Sequence, residues 1–312
     1  HSTAGFLASV ENCRAVKMGL VAQVAQSYFE LMALDNELAI VRRTLEARRE
    51  GVRLAEIRFK GGLTSEIVFQ QAKVELAKTA TMVPDLERRI SLKESEIALL
   101  TGDFPYAVNR NVLPEEIQLP DALPLGLPST LLERRPDIRK AERELMAAHA
   151  EVGLAYTNMF PRLALTATLG AESETLRDLL KSPYSYLAGN LLSPLFAMGK
   201  NRAALKAKRA AYEGAVAEYE KTVLTAFKET HDAIINFNKI KDIYESRRQL
   251  AEASRTAVEL AQLQYINGVI GYLDLLDAQR NYFDAQVSLS NAVCNKQLMI
   301  INLYKALGGG WK

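Results

Sequence analysis

The sequence repeats itself at a fixed distance, and this repeat restricts the chain to a fold built from two similar halves. When Gly62 is aligned with Gly268, a shift of 268 − 62 = 206 positions, the neighbouring residues fall into register without a gap. The matched pairs include Val52 with Val258, Leu54 with Leu260, Ala55 with Ala261, Phe59 with Tyr265, Ala72 with Ala278 and Gly102 with Gly308. Self-similarity of this length indicates a duplicated structural unit.

The first copy has the pattern of a long helical hairpin that turns at glycine. Residues 5–60 carry apolar side chains at steps of three and four and contain no proline, which predicts one helix. At the tip, Gly62 can take a positive φ, and Thr64 or Ser65 can cap the returning helix. That helix is expected to run to residue 100, with a kink at the proline inside it, Pro84.

The second copy is predicted as a helix over 200–266, a tip at Gly268 and a return helix over 271–307. The long helix carries a heptad seam, which is typical of a coiled coil. The seam positions are Tyr212, Val216, Tyr219, Val223, Ala226, Thr230, Ala233, Phe237, Ile240 and Tyr244. A second, partial stripe consists of Ala217, Leu224, Phe227, Ile234 and Ile235. One seam suits a two-stranded coil, whereas two seams suit a wall of helices with a neighbour on each side.

The stretch between the hairpins has a different pattern. Residues 103–130 are rich in proline and predict an extended linker, and a helix from Pro136 to residue 158 follows. Leucine or alanine then alternates with small and polar residues over 163–170, and a weaker alternation follows at 184–196. Two strands of about ten residues have the length that crosses a bilayer obliquely. Because two strands cannot close by themselves, further strands would have to come from elsewhere in the protein or from other subunits.

Composition and residue spacing exclude several classes of function. The net charge of +2 gives no electrostatic reason to expect nucleic acid as a partner. Cys13 and Cys294 lack metal-ligand spacing and are interpreted as buried bystander thiols. The histidines are scattered and no catalytic constellation is present, so no enzyme activity, cofactor or metal is predicted. Residue 1 aligns near residue 207, inside a helix, so we expect the sequence to lack the start of its protein, including any signal peptide.

The residues resemble the outer-membrane efflux protein family of TolC-like trimeric exit ducts, and within it the OprM-like branch that serves resistance-nodulation-division pumps. The resemblance covers nearly the whole chain. Five segments carry it: RRPDIRKAERELMAAHAEVGLA, FPRLALTATLG, SPLF, YLDLLDAQRNYFDAQ and LYKALGGGW. It implies a mainly α fold with a small β part, in which duplicated α-hairpins form a coiled-coil α-barrel and the strands join a trimeric transmembrane β-barrel.

The resemblance also implies boundaries along the chain. They are a first periplasmic hairpin over 1–102, an equatorial linker over 103–135, a helix leading to the membrane over 136–159, a strand pair over 160–197, a second periplasmic hairpin over 198–307 and the start of an equatorial tail over 308–312. The implied location is the outer membrane of a Gram-negative bacterium, with a long periplasmic extension and a lipidated N-terminus.

Two groups of residues are the candidate sites. The hairpin tips are predicted to dock an adaptor through Gly62, Leu63, Thr64, Ser65, Gly268, Val269, Ile270 and Gly271. The resemblance implies that Asp274 and Asp277 form a cation ring at the periplasmic gate and that Tyr265 helps to tie the closed mouth. A simpler interpretation is that the two aspartates favour the start of a helix and that Asp277 pairs with Arg280.

One departure from the family pattern concerns the gate. In the family, the gate tyrosine and a nearby arginine pair with an aspartate on the first hairpin. In this sequence Ile270 stands at the arginine position and Val68 at the aspartate position. We therefore expect an apolar contact here in place of an ionic lock of that design.

The implied function is that of a passive exit duct for drugs or other small toxic compounds in a tripartite efflux system. Its expected partners are two further copies of itself, a periplasmic adaptor (membrane fusion) protein, an inner-membrane pump and outer-membrane lipid. The alternative is a periplasmic coiled-coil adaptor or scaffold without a pore. An adaptor should have one hairpin interrupting β-rich lipoyl-like domains, whereas this sequence has two hairpins and a strand pair with an apolar face.

Overall fold

The computed structural model describes residues 2–110, 132–172, 183–193 and 195–309, and these residues form helices and one strand pair. The elements are α1 (Ser2–Lys60), α2 (Glu66–Thr101), α3 (Pro136–Thr157), β1 (Arg162–Ala171), β2 (Pro183–Leu192), a short 3-10 helix (Leu195–Ala197), α4 (Met198–Ile266) and α5 (Tyr272–Ala306). The mainly α fold with two hairpins and a small β part is therefore confirmed. Most of the predicted linker and the end of the predicted tail lie outside the described residues.

The chain divides into two compact units. The first comprises residues 1–13 and 136–225, and the second comprises 14–135 and 226–312. None of the helices in the described part of the chain is both long enough and apolar enough to span a membrane.

The strand pair belongs to the first unit. β1 and β2 are antiparallel, with Arg162 opposite Leu192 and Ala171 opposite Pro183. The second strand ends at Leu192, so the prediction that the strand-like run continues to residue 196 is wrong, and a 3-10 turn replaces its end. In β1 the leucines of the predicted apolar face are exposed, because within the described residues each strand pairs only with the other and nothing covers the sheet.

Next to the strands, α3 and the start of α4 run antiparallel. The Asn201 side chain donates to the Asn158 carbonyl over 2.8 Å. Further along, Lys208 pairs with Glu151 over 2.5 Å. A step of seven residues forward along α4 thus corresponds to a step of seven residues back along α3, as expected for two antiparallel helices.

In the second unit, α1 and α2 enclose an apolar core. Its buried members are Leu31, Leu34, Leu38, Val41, Leu86, Ile90, Ile97 and Val108. Pro84 lies inside α2 as predicted, and its neighbours Met82 and Val83 pack against this core.

Between α1 and α5, which belong to different hairpins, the structure also contains polar contacts. Gln26 donates to Asn302 over 2.7 Å, and Asn36 donates to Ser290 over 2.8 Å. Side-chain hydrogen bonds of this kind fix the register of two helices without a large apolar interface.

The heptad seam predicted along α4 is confirmed by burial. Every seam position from Tyr212 to Tyr244 is buried or half-buried. The second stripe is partly exposed in the single chain: Leu224 is 69%, Ile235 48% and Phe227 36% exposed. The helix therefore has one satisfied seam and one apolar stripe that is still uncovered.

Candidate functional site at the hairpin tips

The two tips have the same backbone. Gly62 has φ of 72° and Gly268 has φ of 76°, so both take the left-handed conformation for which glycine is best suited. In the first tip Leu63 N–H donates to the Arg58 carbonyl, and in the second Val269 N–H donates to the Gln264 carbonyl, each over 2.8 Å. This six-to-one bond is that of a Schellman motif, which ends a helix by satisfying its last carbonyls.

The tips expose apolar side chains at matching positions. Leu63 is 72% exposed and Val269, its counterpart at the 206-residue shift, is 70% exposed. Ile67 and Leu273, a second matched pair, are also exposed. Because these side chains have no partner in the described residues and recur in both copies, each tip presents an uncovered apolar surface.

The predicted caps differ from what the structure contains. Ser65 occupies the N-cap position of α2, but its side chain makes no capping hydrogen bond. The Thr64 hydroxyl donates instead to the Ser65 carbonyl over 3.4 Å, at the outer limit of a hydrogen bond. The turn in the first tip is therefore held by its backbone, and neither predicted hydroxyl caps the helix.

An apolar cluster lies directly behind both tips. Its buried members are Ala55, Ala72, Ala261, Tyr265, Tyr272, Leu275 and Leu276. Val68 and Ile270, the positions at which the sequence departs from the family's ionic pattern, both pack against this cluster. In the single chain, these two residues therefore lie in an apolar environment, at the positions where the sequence predicts an apolar contact in place of an ionic lock.

Tyr265 is part of this cluster and is only 5% exposed. Its hydroxyl has no hydrogen-bond partner among the described residues. The Arg58 guanidinium lies 4.8 Å from the centre of its ring, close enough for a cation–π contact, and the Tyr272 ring is 5.8 Å away.

Asp274 and Asp277 both lie at the start of α5 and are exposed. The Asp274 carboxylate accepts a hydrogen bond from the Gly271 N–H over 3.0 Å, which satisfies a backbone donor at the helix start. Asp277 pairs with Arg280 Nη1 over a longer distance, 3.6 Å. Within one chain the two carboxylates therefore make the contacts of the simpler interpretation, and their charges still face solvent.

An ionic network behind the cluster was missed by the sequence analysis. Glu75 of α2 has a side chain only 8% exposed, accepts a hydrogen bond from Arg280 of α5 over 2.6 Å and lies 4.0 Å from Arg48 of α1. Arg48 also donates to Gln279 over 2.5 Å. Spacing along one helix could suggest Asp277 with Arg280 and Glu75 with Lys78, which lie 3.6 and 3.3 Å apart. It could not suggest the contacts of Glu75 with Arg280 and Arg48, because these join three helices.

The charges in this network shift in the directions that pairing and burial predict. The hydrogen bond from Arg280 lowers the pKa of Glu75 below its ordinary value. Burial lowers the pKa of Arg48, and the nearby Glu75 carboxylate opposes that effect. Burial also raises the pKa of Tyr272. Glu75 is thus an ionised carboxylate that holds two arginines from different hairpins.

The cysteines show no organised chemistry. Cys13 is exposed, so the prediction that it is buried is wrong, whereas Cys294 is half-buried and burial raises the pKa of its thiol to about 11. In the described part of the chain no cluster of His, Cys, Asp or Glu has an arrangement that could hold a metal ion.

Comparison with known proteins gives a consistent result. The family model described as outer membrane efflux protein matches residues 2–103 and 127–309. Outer membrane protein OprJ of Pseudomonas aeruginosa is 35% identical over 98% of this chain and 64% of its own length. The solvent efflux pump outer membrane protein SrpC of Pseudomonas putida is 34% identical over 98% of this chain and 66% of its own length.

The solved structure of the outer-membrane channel OprN superimposes with a TM-score of 0.90 at 31% identity, covering 99% of this chain and 70% of that one. The chain spans about two thirds of the length of the two curated relatives. The predicted location in the outer membrane is confirmed by these relatives and neighbours.

Proposed function

Because the chain belongs to the outer membrane efflux protein family, we propose that its protein is the exit duct of a tripartite efflux system. In this proposal an inner-membrane pump of the resistance-nodulation-division type delivers drugs or other small toxic compounds through a periplasmic adaptor, and the duct lets them leave passively. The observation that carries the proposal is the end-to-end similarity of the chain to OprJ and to the OprN channel. No catalytic step is assigned, since the family is one of channel proteins.

The alternative of a pore-free adaptor or scaffold finds no support. The relatives and the neighbour reported above are outer-membrane proteins, and the chain contains two matched hairpins together with a strand pair. An adaptor would not need strands whose two faces are both uncovered.

The assembly that fits these surfaces is a homotrimer. The edges of β1 and β2 that face away from each other lack strand partners among the described residues, and an open edge in lipid leaves backbone groups unsatisfied. Along α4 the exposed stripe at Leu224, Phe227 and Ile235 needs a neighbouring helix to cover it. Further copies of the protein would supply both, placing the strands in a shared barrel in outer-membrane lipid and the hairpins in a periplasmic tunnel.

We assign adaptor docking to the tips, Gly62 to Ser65 and Gly268 to Gly271. Exposed apolar residues at a turn are costly in water unless another surface covers them, and both tips carry them at the same positions. Three copies would present six tips, so that a weak contact at each tip becomes a strong one through avidity.

The gate assignment follows from symmetry. Asp274 and Asp277 lie three residues apart on one side of α5. Three-fold symmetry would turn two carboxylates into six around one mouth, and a ring of aspartates biases a pore toward cations. Tyr265, whose buried hydroxyl has no partner among the described residues, would add a contact to the closed mouth.

The test of the proposed function is complementation. The encoded protein is expressed in a bacterium that lacks its own exit duct but retains a pump and adaptor of this class. We expect resistance to pump substrates to return and chemical crosslinking of membranes to yield a trimer. If crosslinking yields nothing larger than a monomer or a dimer, the proposed assembly is contradicted. Failure to restore resistance with any of several cognate pump–adaptor pairs, despite a trimer in the membrane, would contradict the proposed function.

A further inference from the structure

The strand pair ends beside an unusual concentration of positive charge in the first unit. Residues 193–212 contain Lys200, Arg202, Lys206, Lys208 and Arg209 but no Asp or Glu. The facing stretch, residues 152–171, also lacks an acidic residue and contributes Arg162. The first acid on α4 is Glu213. The part of the first unit where the strands meet the helices therefore carries an excess of positive charge.

Most of these cations are not used inside the chain. Lys200, Arg202 and Lys206 are exposed and form no ion pair or hydrogen bond with any described residue. By contrast, Lys208 is paired with Glu151 over 2.5 Å. Lys200, Arg202 and Lys206, which we call the basic collar, lie within the first three turns of α4.

The helix itself does not favour these residues. The N-terminal end of a helix carries a partial positive charge, so acidic residues stabilise it and basic residues do not. The first turn of α4 contains no acid.

Exposed aromatic rings occur at the end of α3 and just before the start of α4. Tyr156 and Phe160 stand at the end of α3, and their rings are in edge contact at 5.1 Å between centroids. Phe196, in the turn between β2 and α4, is fully exposed. Aromatic rings are enriched where membrane proteins cross the interface between hydrocarbon and water. The same level of the molecule thus combines interfacial rings with free cations.

The distances place Lys200 and Arg202 in the headgroup layer of a bilayer and Lys206 just beyond it. Arg162 and Leu192 face each other at the edge of the strand pair from which both helices leave. The headgroup layer adds about 5–7 Å on each side of the hydrocarbon core. At 1.5 Å per residue, Lys200 and Arg202 lie within about 6 Å of the start of α4, and Lys206 within about 12 Å. Helical side chains also lean toward the helix N-terminus, which here points back to the strands.

We propose that the basic collar of Lys200, Arg202 and Lys206 binds the phosphate groups of anionic phospholipids in the periplasmic leaflet of the outer membrane. This inference rests on the proposed placement of the strand pair in the membrane. Basic side chains beside a membrane attract anionic headgroups within a Debye length, about 8 Å at physiological ionic strength. In this arrangement the rings of Tyr156, Phe160 and Phe196 lie at the boundary between the headgroups and the acyl chains.

The test uses the whole encoded protein, purified as its oligomer in neutral detergent. Native mass spectrometry follows the binding of phosphatidylglycerol and, separately, of phosphatidylcholine. The test variant is the triple substitution Lys200→Gln, Arg202→Gln and Lys206→Gln. We expect it to lose the preference for phosphatidylglycerol by about tenfold or more, because each basic side chain near an anionic surface contributes about a fivefold factor in affinity.

The matched control removes three charges from the same helix, away from the strands. Lys221, Lys228 and Lys239 are exposed and pair with acids three or four residues away. Their triple replacement by Gln should leave the phosphatidylglycerol preference unchanged within about twofold. An equal loss in the control variant would overturn the proposal, since net charge alone would then explain the binding.

Three further results would overturn it. Competition by millimolar glycerol 3-phosphate as effective as that by the lipid would indicate a site for free anions. An intact lipid preference in the collar variant, together with lost efflux, would indicate a protein contact. If the triple variant does not assemble, the single variant Lys206→Gln and a salt titration of the wild type are measured instead. A phosphatidylglycerol preference that does not weaken as salt is added would then contradict the proposal. Normal conductance of the variant in planar bilayers would show that the barrel, and hence the proposed function, is unaffected.

Discussion

At the tip of the first hairpin the chain turns through Gly62, and at the tip of the second it turns through Gly268. The two φ angles differ by only a few degrees, and the hydrogen bonds that close the two turns match in length. The far ends of the hairpins repeat this agreement, because Gly102 and Gly308 have φ of 81° and 77°. The four glycines with positive φ in the described residues thus form two pairs at the 206-residue shift.

The side chains around the two tips have diverged. Asp274 in the second copy corresponds to Val68 in the first, and Asp277 corresponds to Gln71. The first hairpin therefore makes the same turn and starts its return helix without either carboxylate. This difference shows that neither carboxylate is needed for the backbone of the turn. The capping contact of Asp274 is an addition to the second tip and is not a condition for folding it.

The largest expected effect tests whether the shared tip is a docking surface. In Gly268→Glu, the added Cβ would meet no atom within 4 Å, and the left-handed backbone is strained by about 1–2 kcal/mol. That strain is too small to unfold two long helices. We expect efflux to be abolished while the yield of trimer is unchanged, measured by drug susceptibility and crosslinking.

The matched control for this change is Gly102→Glu. Gly102 has nearly the same φ and equally open surroundings, but it lies at the opposite end of α2 from the tip. It should show the same strain and keep efflux. Unaltered resistance in Gly268→Glu would count against docking at the tips, and equal loss in both variants would attribute the effect to the backbone.

The second prediction concerns another position at which the two copies differ. Glu75 in the first copy corresponds to the exposed Asn281 in the second. Glu75→Gln keeps the shape of the side chain and removes the charge that Arg280 and the buried Arg48 share. Removing one partner of a buried ionic contact leaves the other uncompensated. We expect a loss of about 1–3 kcal/mol in the free energy of unfolding, measured from the urea midpoint of the helical circular dichroism signal.

The pH dependence gives this prediction a sign. The folded-state pKa of Glu75 is lowered from its ordinary value of 4.5. Its contribution is therefore fully present above pH 4.5 and is lost as the pH falls through the lower folded-state value. The difference between wild type and Glu75→Gln should shrink over that range. Glu87→Gln, which breaks the exposed pair with Arg42, should cost less than about 1 kcal/mol, and an equal cost would contradict a special role for Glu75.

The residues show which parts of the molecule the sequence could predict. Helix bounds, tips and the heptad seam of α4 were predictable because they depend on local periodicity and on glycine, and Tyr212 and Ile240 face inward as their spacing requires. The Glu75 network was not predictable, since its members come from α1, α2 and α5 and no spacing along one helix relates them. The burial of Tyr265 and the exposure of Cys13 likewise depend on which helices become neighbours.

The smallest expected effect on stability belongs to the two aspartates of the second tip. The double variant Asp274→Asn and Asp277→Asn removes both charges and keeps side chains that tolerate a helix start. Because the first tip folds with Val68 and Gln71 at these positions, we expect the free energy of unfolding to change by only a few tenths of a kcal/mol. The conductance should change much more, because a ring of carboxylates at a pore mouth favours cations.

Single-channel recording in planar bilayers separates the two interpretations of these aspartates. We expect the wild-type pore to prefer cations and to be blocked by multivalent cations from the periplasmic side, and the double variant to lose most of both properties. The exposed carboxylate of Glu66 at the start of α2 supplies the control, since Glu66→Gln removes charge beside the first tip instead. If the double variant keeps wild-type selectivity and block, Asp274 serves only the Gly271 N–H and Asp277 only Arg280, and the carboxylates that distinguish the second tip from the first have no part in the gate.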